Sequence, residues 1–280
     1  MTSTVVVTDS SADLPDGVLK ELDIIVIPLK IKINSNVYKD NIGISADEIF
    51  KNVKEDTPKI TVNEPDVNEI QDIYINLLSK YQNIISIHSD TVFCGVANKV
   101  KGAKESFANN KVSVVETNLF SMALGCLAME VGKVAKSCNK KTKLVSLANN
   151  LKNNMLTYFL VEGSDTLNSK LYKELEEHNE DVVNTNYIII IKNGKIEVVD
   201  CYKNRPKALA GLAKLAQERF LGSTKYKVAI SYGECLGDAL QLRESLEKEK
   251  EYNELILSQM GATNGAHLGP KAVVLTTYPV

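Results

Sequence analysis

No purely apolar run in this 280-residue chain exceeds about five residues, far below the roughly 20 that a membrane-spanning helix needs. The opening residues, Met-Thr-Ser-Thr-Val-Val-Val-Thr-Asp, lack the basic segment followed by an apolar one that marks a secretory signal. Cysteine offers no framework: Cys94, Cys126, Cys138, Cys201 and Cys235 are odd in number, form no C-x-x-C pair and have no histidine at metal-ligand spacing. That pattern argues against disulfides and a zinc site, implies no cofactor, and suits a reducing cytoplasm. Excess charge is missing too. The formal net charge is −2 and the pI about 6.0, with lysine and glutamate interspersed, so neither nucleic acid nor an anionic membrane finds an electrostatic footprint. The one mild basic cluster, Asn139 to Lys143, reads as a solvated loop after a helix.

What is present is an ordinary globular composition, 44% hydrophobic and 24% charged, enough to fill a packed core. The length predicts two domains, with a boundary near residue 155 that gives segments 1–155 and 156–280. Thr4 to Thr8 reads as a strand, followed by a polar turn and a helix from Asp16 to Leu22, with Asp13 as its N-cap and Pro15 near its first turn. Ile24 to Ile33 reads as a second strand. Ser45 and Glu48 stand at capping-box spacing at the head of a helix, and Asp66 to Tyr81 forms a longer one. Asn83 to Ile87 and Lys111 to Val115 are strands, each followed by a polar turn and a helix. This repetition is the mark of a parallel sheet covered on both faces, with ligands expected beyond the carboxyl ends of its strands.

After a helix from about Leu144 to Met155 the rhythm changes. Strands at Thr157–Val161 and Tyr187–Ile191, an Asn193-Gly194 hairpin, a return at Ile196–Tyr202 and a helix from Pro206 to Phe220 follow. Tyr226–Ser231, a helix from about Leu236 to Lys248, Glu254–Ser258 and Ala272–Thr277 complete a mixed sheet. The expected fold is therefore α/β: a parallel sheet with helices on both faces, plus a smaller mixed α/β domain.

Several segments carry candidate chemistry. Asp9 follows the first strand in Thr8-Asp9-Ser10-Ser11, where a turn, a pocket wall and an aspartyl nucleophile of a phosphotransferase or hydrolase are all open readings. The nucleophile reading lacks a second carboxylate for a cation, because Asp13 sits where a cap would. Pro58 and Pro65 bracket a polar connector from which Thr61 and Asn63 project as loop donors or as caps of the next helix. His267 lies in Gly261-Ala-Thr-Asn-Gly-Ala-His-Leu-Gly-Pro270, where glycines let the backbone approach another group closely and an imidazole nitrogen donates. Arg205, at the start of a helix, opposes the macrodipole by about 0.3–1 kcal/mol; an anionic partner or ligand would offset this.

Together these pieces resemble the DegV family of fatty-acid-binding proteins across nearly the whole chain. The resemblance rests on Thr8-Asp9-Ser10-Ser11-Ala12-Asp13-Leu14, Pro28-Leu29, Thr61 with Pro65, Asp165-Thr166-Leu167, Arg205 with Lys207-Ala208-Leu209, and Gly265-Ala266-His267-Leu268-Gly269-Pro270. It implies two α/β domains holding one long-chain fatty acid, with Thr61 bonding the carboxylate and His267 beside it. It also implies a non-enzymatic carrier, which presents the acid to a separate ATP-dependent fatty acid kinase and has no G-x-x-x-x-G-K-[ST] loop of its own. Another amphiphile is the alternative ligand. The chain departs from the family in two places. The serine-bearing turn after the third strand of the sheet is replaced by His88-Ser89-Asp90-Thr91-Val92-Phe93-Cys94-Gly95, so Ser89 or Thr91 would have to supply the hydroxyl, and Ser121 heads the next helix nearby. A Lys-Gly-Gly-Arg turn after Leu167 is replaced by Asn168-Ser-Lys-Leu-Tyr.

Overall fold

The structure, a computed structural model, describes residues 4–55, 60–91, 93–108, 110–138, 140–163, 169–178, 181–220, 226–248 and 252–279. Four strands, β1 (Thr4–Asp9), β2 (Ile24–Ile27), β6 (Asn83–Ser89) and β7 (Val112–Thr117), form an all-parallel sheet in the order β2-β1-β6-β7. Alternation decides its layers. Val5 and Val7 face the side covered by α3 (Val67–Leu78) and α4 (Val96–Lys104), while Val6 faces α5 (Met122–Ala135) and α6 (Lys141–Lys152). Strands covered on both faces need no polar alternation, which is why they read as continuous apolar runs.

The expected strand from Ile24 to Ile33 is two strands in two sheets. Pro28 has no N–H for a ladder, and the chain leaves the parallel sheet there, with the Leu29 amide donating to Ser10 Oγ at 3.0 Å. It then forms β3 (Lys30–Ile33), the centre of a small antiparallel sheet with β4 (Asn36–Lys39) and β5 (Ile60–Asn63). β4 is not among the expected strands, and Thr61 to Asn63, expected in a polar connector, lie in β5. The helix α2 (Ala46–Glu55) starts with the expected reciprocal cap: the Ser45 amide donates to Glu48 and the Glu48 amide to Ser45 Oγ. Asp66 and Glu69 form a second capping box at the head of α3. The N-cap position of α1 (Asp16–Leu22) is held by Pro15 rather than Asp13, with no side-chain capping bond.

The second lobe is a six-stranded mixed sheet in the order β10-β9-β8-β13-β11-β12. Its strands are β8 (Leu156–Glu162), β9 (Asn186–Lys192), β10 (Lys195–Tyr202), β11 (Tyr226–Tyr232), β12 (Tyr252–Gln259) and β13 (Val273–Pro279). Asn193 and Gly194, at φ 53° and 72°, make the β9–β10 turn with the two left-handed residues that a tight hairpin favours. Helices α8 (Arg205–Phe220) and α9 (Leu236–Glu247) cover one face through Leu209, Leu212 and Leu242. The other face carries Phe159, Val161, Tyr187 and Ile189 beneath α7 (Ser169–His178) and belongs to the same core cluster as Val5 and Val7. The apolar core thus runs without a break from one lobe into the other.

The segment Gly261 to Pro270, expected as a loop, holds the short helix α10 (Ala262–Leu268), every residue of which is buried. Its glycine serves packing rather than freedom: a Cβ on Gly265 would sit 2.7 Å from the Phe50 ring of α2. Of the Asn139–Lys143 cluster, Lys141 already begins α6, while Asn139 lies outside the described residues. Thr57-Pro58-Lys59, Val92 and Asp165-Thr166-Leu167 also lie outside them.

Candidate functional site

The carboxyl ends of β1 and β6 meet α10 where the lobes join. His267, on α10, is 8% exposed. Its ring stacks on Phe93 with centroids 5.3 Å apart and an interplanar angle of 29°, and meets Phe120 edge-on at 5.9 Å. Phe93 and Phe120 also touch each other, at 5.2 Å, and Phe159 of β8 stands 6.5 Å beyond Phe120. Burial pushes the His267 imidazole down to about 4, because taking a cation out of water is costly. At neutral pH it is therefore an uncharged hydrogen-bonding group in an aromatic nest.

A second buried centre lies at Asp13. Its backbone is left-handed, at φ 52°, and the carboxylate points into the seam between lobes. Oδ2 accepts from Ser121 Oγ at 2.6 Å and from Ser231 Oγ at 2.9 Å, and Oδ1 accepts from the Gly261 amide at 2.7 Å. Ser258 Oγ donates to its carbonyl at 2.7 Å. Burial raises this carboxyl to about 6 against the pull of those donors. The turn that carries Asp13 lies against α5, and only a glycine permits it: a Cβ on Gly125 would fall 2.2 Å from the Ala12 carbonyl oxygen.

Asp9 belongs to a third arrangement. Oδ1 accepts from the Ser11 amide at 3.1 Å and from Ser11 Oγ at 2.5 Å, while Oδ2 lies 2.8 Å from His88 Nδ1. The row continues from His88 Nε2 to Ser86 Oγ and on to the Tyr74 hydroxyl, each step 2.6 Å. Asp9, His88, Ser86 and Tyr74 are all 0% exposed. Although the order Ser-His-Asp is that of a hydrolytic triad, the Ser86 hydroxyl is enclosed in the sheet and already faces a tyrosine. Both Asp9 oxygens are engaged as well, so the nucleophile reading of Asp9 does not fit this geometry.

The remaining candidates divide clearly. Thr61 and Asn63 occupy the exposed face of β5, opposite Lys32 and Lys30 of β3, and do not converge with His267. The two-residue period of a strand is the reason: Val62, between them, is the residue turned toward the core. Ser89 Oγ donates to Thr91 Oγ1 at 3.3 Å, and Thr91 Oγ1 accepts from the Phe93 amide at 3.3 Å. These hydroxyls therefore shape the turn that sets Phe93 against His267. Ser121 stands at the N-cap position of α5 but makes no capping bond, because its hydroxyl is spent on Asp13. Arg205 finds its anionic partner within the protein: Nε donates to Asp238 Oδ2 at 2.8 Å and Nη1 to Asn186 Oδ1 at 3.2 Å, and Nη2 also bonds the Lys271 carbonyl. It ties α8 to α9 and β9. Phe93, Phe120, the seam role of Asp13 and the row through His88 carry no local sequence signal that marks them. Scarcity was the available signal, since the chain has only six phenylalanines, of which two contact the His267 ring and a third packs behind Phe120.

Two α/β lobes share one continuous apolar core, with a buried imidazole at their junction, and so define a two-lobed α/β protein. The chain belongs to the DegV family: the family model, described as that of an uncharacterised protein, matches residues 3–280. A DegV domain-containing protein of Caldanaerobacter subterraneus subsp. tengcongensis is 23% identical over 268 residues, 95% of each chain. Protein DegV of Bacillus subtilis is 22% identical over 96% of each. Among solved structures, a DegV family protein from Thermus thermophilus, described as fatty acid binding, shares the fold with a TM-score of 0.90 at 20% identity, over 99% of this chain and 100% of that one. A stearic-acid-binding protein from Eubacterium ventriosum gives 0.85 at 17% identity, over 98% and 97%. No helix among the described residues is long and apolar enough to cross a membrane.

Proposed function

We propose that this chain binds one long-chain fatty acid, with the acyl tail in the apolar core where the lobes meet and the carboxyl group beside His267. It then serves as a non-catalytic cytoplasmic carrier, which presents the acid to a separate ATP-dependent kinase. The observation that carries this reading is a buried, uncharged imidazole walled by Phe93 and Phe120 at the lobe junction, in a fold shared with proteins described as binding fatty acids. Burying about fifteen methylenes at ~0.8 kcal/mol each contributes on the order of 12 kcal/mol before ordering costs. The head group must not forfeit that gain. A carboxylate buried without a partner costs several kcal/mol, and an imidazole that donates a hydrogen bond, or takes up the proton, reduces the cost.

The division of the chain near residue 155, between α6 and β8, is part of the same proposal, with one lobe on each side of the ligand. All five cysteines are free, as a reducing compartment allows. The aromatic filling around His267 also favours a second ligand class, an amphiphile with an uncharged head.

Mass spectrometry of lipid extracted from the natively purified protein tests the reading. One acyl chain per protein is expected; repeated preparations without any acyl species would refute it, and a neutral amphiphile would replace the fatty acid. The carrier step predicts acyl phosphate when the loaded protein is mixed with ATP and a fatty acid kinase, and none when the kinase is withheld.

A further inference from the structure

Phe120 stands between a pocket and the buried His267 ring. On one side is a pocket of about 280 Å³ at the seam, whose mostly apolar lining includes Leu119, Met155, Phe159, Ile190 and Phe120 itself, with Asn118, Thr157 and Lys192 adding polar groups. On the other side are His267 and Phe93, in ring contact with it. The Phe120 side chain is 1% exposed, so it closes the way between them.

The backbone next to this ring is strained. Ser121 adopts φ 56° and ψ −145°, a conformation that side-chain-bearing residues rarely take and that concentrates at ligand clamps. What holds it there is the bond from its hydroxyl to Asp13, whose carboxylate is in turn fixed by Ser231 and Gly261 of the other lobe. The direction of the Phe120 ring is thus set by a residue anchored across the seam.

We propose that Phe120 is the gate and chain-length determinant of this site: its ring lies between the seam pocket and His267, and swinging it aside opens that pocket to the imidazole, in the path of the methylenes nearest the head group. This rests on the fatty-acid reading above. The closed form is the one observed, so the apparent affinity of the parent chain is lowered by the small population of the open form.

The test uses the full chain, stripped of lipid, with cis-parinaric acid as a fluorescent probe and saturated fatty acids of increasing length as competitors. Phe120→Ala is expected to bind the probe roughly tenfold faster than the parent chain, as removal of a closed state requires, and to gain more affinity for long acids than for short ones. Phe120→Leu should change in the same direction by less, and it substitutes for the alanine variant if that one fails to fold. Unchanged rates and an unchanged length profile in both variants would overturn the gate while leaving fatty-acid binding intact. A uniform loss of affinity at every length would overturn it too, because Phe120 would then be only a wall. No probe binding by any of these proteins would overturn both the gate and the reading on which it rests.

Discussion

Asp13 and His267 are buried ionisable groups at the same seam, and their surroundings differ in kind. Asp13 is saturated by hydroxyl and amide donors drawn from both lobes, whereas His267 is wedged among aromatic rings. Burial drives each toward its uncharged form, the carboxyl up to about 6 and the imidazole down to about 4. Directional bonds fix Asp13 in place, and moving it would strand several donors at once. Ring contacts can re-form around a guest. The first centre therefore holds the molecule together, and the second can receive something.

The largest expected effect breaks the polar centre. Asp13→Ala leaves Ser121, Ser231 and the Gly261 amide without their acceptor, and urea unfolding should show a loss of about 3 kcal/mol or more, since each stranded buried group costs about 1–3 kcal/mol. Next comes pH, where the two centres act in opposite senses. The native Asp13 carboxyl keeps its proton between its ordinary 3.8 and about 6, so its contribution to stability falls as pH rises through that window. Burial also raises Asp40, which adds in the same direction. His267 is the reverse: between about 4 and 6.5 the unfolded chain binds the proton and the native one does not, so stability rises with pH. Asp13→Asn should expose the rising slope and His267→Phe the falling one, each read as a urea midpoint across pH 4 to about 7.

Smaller effects sharpen the contrast. His267→Ala should weaken fatty-acid retention about tenfold, the value of one buried hydrogen bond near 1.4 kcal/mol, with the fold retained by circular dichroism. Binding should also take up a proton, because a neutral imidazole meets a carboxylate; affinity in the parent chain should then increase as pH falls from 8 toward about 5, and that dependence should vanish in His267→Ala. Thr61→Val, on the exposed face of β5, should change neither retention nor stability beyond about 0.5 kcal/mol.

Most of the architecture was legible because it rests on periodicity. The fully buried strands of the parallel sheet, the Ser45–Glu48 cap and the Asn193-Gly194 hairpin are all local signals that the fold respects. The errors share a cause: each depended on a partner distant in sequence. Ile24 to Ile33 looks like one strand until Pro28 hands the chain to a second sheet, and β5 looks like a loop because its partner β3 lies some thirty residues earlier in the register. The glycines in and flanking α10 read as loop punctuation, although Gly265 makes room for Phe50. At the site, His267 was accessible through its glycine-rich setting. The rings around it were not, since nothing local announces that Phe93, Phe120 and Phe159 meet. Asp13 looked like a cap because an Asp two residues before a proline usually is one.

The position of β13 governs how this molecule can be assembled. Although last in the fold, it lies in the interior of the six-stranded sheet, antiparallel to β8 on one side and β11 on the other. The parallel sheet is complete once β7 exists, so a nascent chain could fold that lobe early, but β8 and β11 cannot be bridged until the last strand emerges. Such long-range closure is slow, and it leaves unpaired strand edges open to other chains in the interval. Aggregation during synthesis should therefore be the characteristic failure of variants weakened in β13.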